Sequence, residues 1–217
     1  EMRENPEKFE DNYFDLNNVS KELFEKDNIQ FVVGRKGTGK TYTGKYMELH
    51  NPQNTVYLTL DSFDYKAFNH LAKKGKGYEP FVTPWKYFIL TNFLVFISKS
   101  SQNEEIEKVL TELYGRRISS QQILNKKFKK EVQINDQKIA NKWMQDLAKD
   151  NNFFDLNDII QMFLITIADV LSEKCLLILD GLDEKINENE HYKDIMNGLI
   201  WAIKAINDEM YREKVPA

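Results

Sequence analysis

Short apolar runs, separated by segments of helical periodicity, dominate the pattern of the chain. Residues 175–179 read Cys-Leu-Leu-Ile-Leu without polar alternation, which predicts a strand buried on both faces, as in a parallel sheet. Residues 29–33 end in Phe-Val-Val and predict another buried strand. Residues 55–60 alternate and are rich in Val, Tyr and Thr, which predicts a strand between these two in the chain. We therefore expect an α/β fold with a mostly parallel sheet.

Several of the predicted helices have clear end signals. Ser20 is a predicted N-cap, and proline occupies the first turn of the helix that starts at residue 84. Gly115 ends the predicted helix at residues 103–114. The predicted helices cover residues 20–26, 41–50, 84–99, 103–114, 137–149, 156–173 and 192–211. We also predict a loop at residues 73–80 and a short strand at residues 127–134.

Residues 34–41 read Gly-Arg-Lys-Gly-Thr-Gly-Lys-Thr, the complete G-x-x-x-x-G-K-[ST] phosphate loop, between a predicted strand and a predicted helix. Its glycines let successive backbone N–H groups point at an anion, and the following helix directs its positive end there. Lys40 is expected to reach the β- and γ-phosphates, and Thr41 to ligate Mg²⁺. The predicted nucleotide contacts are Gly34, Lys36, Gly37, Thr38, Gly39, Lys40, Thr41 and Tyr42.

A second motif follows the apolar run at residues 175–179, which leads directly into Asp180, Gly181, Leu182, Asp183 and Glu184. In phosphate-loop proteins an Asp at the end of such a strand holds Mg²⁺, directly or through water. Asp183 and Glu184 supply carboxylates that orient and deprotonate the attacking water. Taken alone, the segment also reads as an acidic turn after a core strand. The phosphate loop favours the metal site, with Thr41 and Asp180 as ligands and Lys40, Asp183 and Glu184 as catalytic residues.

The two motifs together resemble those of the NACHT and STAND branch of P-loop ATPases and its bacterial relatives, including KAP-like ATPases. In that branch the second motif is a hydrophobic strand, Asp, a small residue, a hydrophobic residue, Asp and Glu, as at residues 176–184 here. The resemblance implies that Asp180 holds the metal and that Asp183 and Glu184 are the catalytic acids. Many bacterial members act in anti-phage defence, which implies such a role here. The resemblance covers residues 34–41 and 175–184 only.

The interval between Lys40 and Asp180 is longer than in many related ATPases, which predicts a helical insertion. We expect one ATPase domain over residues 1–217, with its core at 28–72 and 156–212 and the insertion at about 80–150. Glu184 favours the additional-strand class, a three-layer sandwich, over the kinase–GTPase class. In the additional-strand class another strand follows the last helix, so we expect the domain to be incomplete at its C-terminus.

Composition limits the class of protein. Hydrophobic residues make up 41% and charged residues 29% of the chain, as in soluble globular proteins. The net charge of −4 argues against an overall basic field for nucleic acid. Cys175 is the only cysteine, which predicts a reduced, cytoplasmic setting. The longest apolar stretch, residues 85–97, includes Lys86 and Asn92, so we expect a buried helix and no membrane partner.

Other charged residues can be interpreted either as structural or solvent-exposed groups or as functional groups. Asp61 follows the predicted strand 55–60 and competes with Asp180 for the metal, but capping the strand or touching the active site from the side is favoured. Arg116 and Arg117 follow a helix end, where they favour the negative end of the helix or act as an arginine finger in trans. Arg35 and Lys36 contact phosphate or face solvent at the loop tip. The basic segment 126–130 reads as a solvated charge run or a contact to a nucleic-acid backbone.

The base is expected to be adenine, because Asn125-Lys126-Lys127-Phe128 lacks the Asp of the guanine-reading Asn-Lys-x-Asp motif. Phe9, Tyr13 and Phe14 are candidates for contacts to the base.

The sequence thus predicts ATP binding and Mg²⁺-dependent ATP hydrolysis in a larger multidomain protein, with a homo-oligomer or an effector protein as partner. The first alternative is a nucleotide-gated oligomerisation switch with little turnover. The second is a nucleic-acid-dependent motor or a P-loop kinase; a kinase needs an acceptor site and an arginine-bearing lid, and neither is visible.

Overall fold

The computed structural model of the chain describes residues 18–26, 31–35, 37–60, 63–72, 74–116, 118, 120–125, 156–182 and 191–212. These residues are mainly helical, with a small parallel sheet, as expected of the α/β class. The predicted strand at residues 127–134 and the predicted helix at residues 137–149 lie outside them.

Eight helices and two strands lie within the described residues. The helices are α1 (Val19–Glu25), α2 (Lys40–His50), α3 (Tyr65–Leu71), α4 (Glu79–Ser100), α5 (Glu104–Tyr114), α6 (Ser120–Asn125), α7 (Leu156–Val170) and α8 (Tyr192–Arg212). The strands are β1 (Thr55–Thr59) and β2 (Leu176–Asp180).

The chain divides into two compact units. Unit 1 comprises Glu1–Leu60 and Cys175–Leu182, and unit 2 comprises Asp61–Lys174 and Asp183–Ala217. Helices α7 and α8, which the sequence assigned to the ATPase core, therefore group with α4 and α5 of the predicted insertion. The number of domains and their boundaries stay a prediction.

In unit 1 the two strands run parallel, and the register pairs Thr55 with Leu176 and Thr59 with Asp180. Helix α2 packs against both strands at Gly44, where a Cβ atom would lie 2.8 Å from the ring of Tyr57 and 3.3 Å from Ile178. Only glycine allows this close approach without a shift of the neighbours. The packing fixes the start of α2 beside the carboxyl ends of the strands.

Strand β2 is less buried than the sequence predicts. All residues of β2 are half-buried, so the prediction of a strand buried on both faces is wrong for this part of the structure. Phe31, Val32 and Val33 lie outside any strand, and Val33 is 93% exposed, so the predicted strand at residues 29–33 is not found in its described residues. The physical reason is pairing: β1 and β2 bond to each other, and no described strand pairs with residues 31–33.

Unit 2 is built around α4, whose aromatic and aliphatic side chains form most of a buried core. The Nε1 atom of Trp85 donates a 2.9 Å hydrogen bond to the carbonyl of Ile195 in α8. The ring of Phe63 stacks on Trp85 with 5.2 Å between the centroids. Gly198 of α8 lies against Phe81, where an added Cβ atom would lie 2.6 Å from the Cβ of Phe81. The hydrogen bond from Trp85 and the close approach at Gly198 therefore hold α4 and α8 together.

By length and composition α4 resembles a membrane span, and 56% of its most apolar window is buried. A helix buried to this extent within its own unit is typical of a protein core, as the sequence predicts for residues 85–97. The helix starts at Glu79, five residues earlier than predicted, because Pro80 also suits the first turn and Pro84 lies inside the helix.

Most predicted element ends agree with the structure to within a few residues. Asn103 accepts a hydrogen bond from the backbone of Ile106 and caps α5, which Gly115 ends at φ 87°. The predicted cap Ser20 is wrong, because Asn18 occupies the N-cap position of α1 without a side-chain hydrogen bond. Two short helices, α3 and α6, were not predicted, since neither has an end signal strong enough to mark it.

Candidate functional site

The loop between residue 33 and α2 is curled on itself. Gly37 and Gly39 adopt φ values of 86° and 89°, in the left-handed region that favours glycine. The backbone N–H and the hydroxyl of Thr38 both donate to the carbonyl of Arg35, at 3.3 Å and 2.9 Å. A Cβ atom at Gly34 would lie 2.6 Å from the Thr38 hydroxyl oxygen. The loop therefore needs glycine at these positions, as the motif predicts.

Helix α2 starts directly after this loop, and its N-cap residue, Gly39, has no side chain with which to cap it. Its first backbone N–H groups are the positive end of the helix dipole. Chain neighbours aside, no atom of the described residues lies within 4 Å of a Cβ atom added at Gly37 or Gly39. The backbone N–H groups of a glycine-rich loop and of a helix start are donors that suit an anion.

The ammonium group of Lys40 lies over the start of the loop. Its Nζ atom donates to the carbonyls of Gly34 at 2.7 Å and Arg35 at 3.0 Å. A positive charge is thus held beside the loop that leads into α2. The charge of Lys40 and the start of α2 both favour an anionic ligand at the loop.

Thr41 and Asp180 bring the two sequence motifs together. The Thr41 hydroxyl donates a 2.6 Å hydrogen bond to Oδ2 of Asp180. Thr41 is in the first turn of α2, and Asp180 is the last residue of β2. The structure therefore joins the phosphate loop to the acidic strand end at the predicted pair of metal ligands.

Tyr57 is a member of this site that the sequence did not indicate. Its hydroxyl donates a 2.5 Å hydrogen bond to the same Oδ2 atom of Asp180. Tyr57 pairs with Ile178 in the sheet, so its side chain and that of Asp180 share one face. The alternation of β1 predicts which residues share a face of that strand, but the register with β2 is needed to connect Tyr57 with Asp180.

The surroundings of Asp180 favour its ionised form. Partial burial raises the pKa of its carboxyl, but hydrogen bonds from Thr41 and Tyr57 lower it. The backbone N–H of Gly181 and the positive charge of Lys40 act in the same direction, so the pKa lies below its ordinary value. A carboxylate at this position is ready to bind a cation.

The donor set fits a nucleotide-bound Mg²⁺ ion. Within the described part of the chain, no group of three or more His, Cys, Asp or Glu side chains lies together. The Thr41 hydroxyl and the Asp180 carboxylate are hard oxygen donors, 2.6 Å apart. Mg²⁺ is commonly held by one or two carboxylates together with substrate phosphates and water. Thr41 and Asp180 would hold the ion, and the remaining positions would be filled by phosphate oxygens and water.

Only some of the other candidate residues lie within the part of the chain that the structure describes. Tyr42 follows Thr41 on α2 and is exposed at 44%. Arg116 is exposed after α5 and belongs to unit 2, and its role stays a prediction. The remaining candidates lie outside the described residues: Phe9, Tyr13, Phe14, Lys36, Asp61, Arg117, the segment 126–130, Asp183 and Glu184.

Comparison of the chain with protein-family models, with curated proteins and with solved structures gives no match.

Proposed function

We propose that this chain binds ATP with Mg²⁺ through the loop at residues 34–41 and Asp180. The observation that carries the proposal is the 2.6 Å hydrogen bond between the Thr41 hydroxyl and Asp180, because it joins two motifs that are far apart in the sequence. A glycine-rich loop alone is a weak signal. A loop that ends beside a carboxylate, with a lysine ammonium over its start, has the donors and the charge that a Mg²⁺–nucleotide complex needs.

Each group has a distinct part in the proposed binding. The N–H groups of the loop and of the first turn of α2 donate to phosphate oxygens. Lys40 turns from the carbonyls of Gly34 and Arg35 to the phosphates, since a phosphate dianion is a stronger acceptor than a carbonyl. Thr41 and Asp180 hold Mg²⁺, which neutralises charge on the β- and γ-phosphates.

We further propose that the site hydrolyses ATP. Asp183 and Glu184 follow Asp180 within four residues in the sequence. Gly181, directly after β2, adopts a φ value of 81°. In this proposal Glu184 or Asp183 orients the attacking water, and the reaction is accelerated by positioning and electrostatics without a covalent intermediate.

The wider setting is proposed from the same residues. The resemblance of the two motifs supports a P-loop fold of the additional-strand class, a NACHT, STAND or KAP-like ATPase, and a cytoplasmic role in anti-phage defence. An arginine from a second copy or from an effector protein would complete the site, because such residues stabilise the charge of the transition state.

The first test is of ATP binding, which is measured by titration with a fluorescent ATP analogue in the presence of Mg²⁺. Lys40→Ala is expected to weaken binding at least about tenfold, because it removes a charged donor to phosphate. Lys108→Ala is the matched control, since Lys108 is exposed on α5 in the other unit. Unchanged affinity in Lys40→Ala would rule out the phosphate site.

Phosphate release then separates an ATPase from a switch. Glu184→Gln is expected to keep ATP binding and stop turnover, and normal turnover would move the catalytic role to Asp183 or another group. Tight binding without turnover, together with an ATP-dependent change of mass by light scattering, would favour the oligomerisation switch. Stimulation by double-stranded DNA would favour the motor.

A further inference from the structure

Tyr57 supplies a second hydroxyl to the carboxylate that is proposed to hold Mg²⁺. Its oxygen lies 2.5 Å from Oδ2 of Asp180, and the Thr41 oxygen lies 2.6 Å from the same atom. The two donors come from different elements, Tyr57 from β1 and Thr41 from α2. Two hydrogen bonds on one oxygen, from two directions, restrict rotation of the carboxylate about its last side-chain bond.

The register of the sheet places position 57 so far from Asp180 that only a long side chain such as tyrosine brings a hydroxyl to the carboxylate. Thr59 is the direct partner of Asp180, and Tyr57 is two residues before Thr59 on the same face. A two-residue step along a strand is about 6.6 Å, beyond the reach of a serine or threonine hydroxyl. The ring of Tyr57 spans this distance and brings its hydroxyl to the end of β2.

The ring itself is held in place by α2. Gly44 lies so close that a Cβ atom there would be 2.8 Å and 2.9 Å from two ring carbons of Tyr57. The ammonium group of Lys45 lies 5.9 Å from the centroid of the ring. A tyrosine side chain has only two rotatable bonds before its ring and hydroxyl, so packing of the ring also fixes the hydroxyl.

We infer that Tyr57 is a positioning residue of the Mg²⁺ site: its hydroxyl holds the Asp180 carboxylate in the orientation in which Asp180 and Thr41 bind one metal ion. The inference rests on the proposed function and extends it, because Tyr57 belongs to neither sequence motif. Tyr57 contacts neither nucleotide nor metal in this account; it acts through Asp180.

The test uses Tyr57→Phe, which removes the hydroxyl and keeps the ring against Gly44. Mn²⁺, as a spectroscopic probe of the Mg²⁺ site, is titrated into the purified chain with a non-hydrolysable ATP analogue and followed by electron paramagnetic resonance. Affinity for the analogue is measured separately in EDTA. We expect the metal to bind about tenfold more weakly in Tyr57→Phe, the size of one hydrogen bond to a charged group, with affinity in EDTA unchanged.

A double-mutant cycle distinguishes positioning from a general structural effect. If Tyr57 acts through Asp180, Tyr57→Phe has no further effect on metal affinity in an Asp180→Asn background. Tyr87→Phe is the control for loss of a buried hydroxyl, because the Tyr87 hydroxyl lies 2.6 Å from that of Tyr114 in unit 2. It is expected to leave metal affinity unchanged.

Each outcome decides the inference. Unchanged metal affinity in Tyr57→Phe, with normal metal binding by the unmodified chain, overturns the role of Tyr57 and leaves the proposed function standing. An equal loss in Tyr57→Phe with and without Asp180→Asn overturns action through Asp180. Failure of the unmodified chain to bind the ATP analogue, with or without metal, overturns both.

Discussion

The hydroxyl of Thr41 and the Oδ2 atom of Asp180 lie 2.6 Å apart, although Thr41 lies in the first turn of α2 and Asp180 ends a strand far along the chain. The contact exists because β2 runs parallel to β1 and α2 packs across both strands at Gly44. Parallel pairing sets the carboxyl end of β2 beside the first turn of α2. The geometry of the site is therefore a property of the sheet register and of one glycine.

Asp180→Asn is expected to remove most, but not all, of the Mg²⁺-dependent part of ATP affinity and to keep the affinity measured in EDTA within about twofold. The amide oxygen of Asn still accepts hydrogen bonds from Thr41 and Tyr57, so the local structure is retained, but the negative charge that attracts the cation is lost. Isothermal titration calorimetry with and without Mg²⁺ measures the difference. Asp208→Asn, on the exposed side of α8, serves as the control. A preserved Mg²⁺ effect in Asp180→Asn would exclude Asp180 as the metal ligand.

Gly44→Ala is expected to destabilise the chain and to weaken ATP binding. The new methyl group would lie 2.8 Å from the Tyr57 ring, so α2 or the ring must move. Overpacking of this kind costs about 1–3 kcal/mol, partly offset by up to about 1 kcal/mol from the better helix propensity of alanine. Urea denaturation measures stability, and the fluorescent ATP analogue measures binding.

Gly198→Ala is the matched substitution for Gly44→Ala. It also places a methyl group inside a helix contact, 2.6 Å from Phe81, but in unit 2. Gly198→Ala is expected to lower the stability of the chain. The folded variant is expected to keep its affinity for ATP. Equal loss of ATP affinity in both variants would show that Gly44 has no particular role at the site.

The sequence predicted the elements whose signals are local. Helix α5 has an Asn cap and a terminal glycine, and α2 follows a glycine-rich loop, so both were located closely. The pairing of β1 and β2 agrees with the predicted strands. Residues 31–33 have an equally apolar pattern, but a strand also needs a partner backbone, and among the described strands none pairs with them. Apolar pattern alone cannot supply that information.

The site could be predicted as far as its motifs reach. Thr41 and Asp180 were named as a pair because spacing and residue type define both motifs, and their hydrogen bond agrees with that pairing. Tyr57 and Gly44 were missed, because each matters through a contact across elements that neither residue type nor spacing encodes. Their roles depend on the register that pairs Tyr57 with Ile178 and on the approach of α2 to that pair.

The buried pair of Tyr87 and Tyr114 predicts loss of stability at high pH. Their hydroxyl oxygens lie 2.6 Å apart, and burial raises the pKa of Tyr114 to about 12 and that of Tyr87 well above 10. Tyrosine in an unfolded chain ionises near about pH 10. Above that pH the unfolded chain releases protons that the folded chain keeps, so stability is fully present below about pH 10 and falls as pH rises toward 12.

The double variant Tyr87→Phe/Tyr114→Phe is expected to reduce this pH dependence and to change stability little at neutral pH, since both partners of the hydrogen bond are removed together. Urea denaturation at neutral pH and at about pH 11 measures the effect. Tyr65, whose pKa is also raised to about 12 by burial, retains part of the dependence. An identical slope in the double variant and the unmodified chain would contradict the assignment to this pair.

The ion pair between Lys86 and Glu209 is expected to contribute to the packing of α4 on α8. The Nζ atom of Lys86 lies 2.7 Å from Oε1 of Glu209, and the two side chains are 15% and 34% exposed. The other carboxylate oxygen, Oε2, is buried, and no donor among the described residues reaches it. Lys86→Met therefore leaves a partly buried carboxylate without the ammonium group that pairs with it and is expected to cost about 1–3 kcal/mol.

Lys86→Met/Glu209→Leu is expected to recover most of that loss, because apolar groups of similar size replace a desolvated pair at little net cost. Lys21→Met is the control, since Lys21 and Glu25 form an exposed pair at 3.8 Å on α1 and its loss is worth about 0.5 kcal/mol or less. Urea denaturation of the four chains gives the comparison. If the double variant is as unstable as Lys86→Met alone, the loss comes from the packing of the lysine stem and not from the unpaired carboxylate.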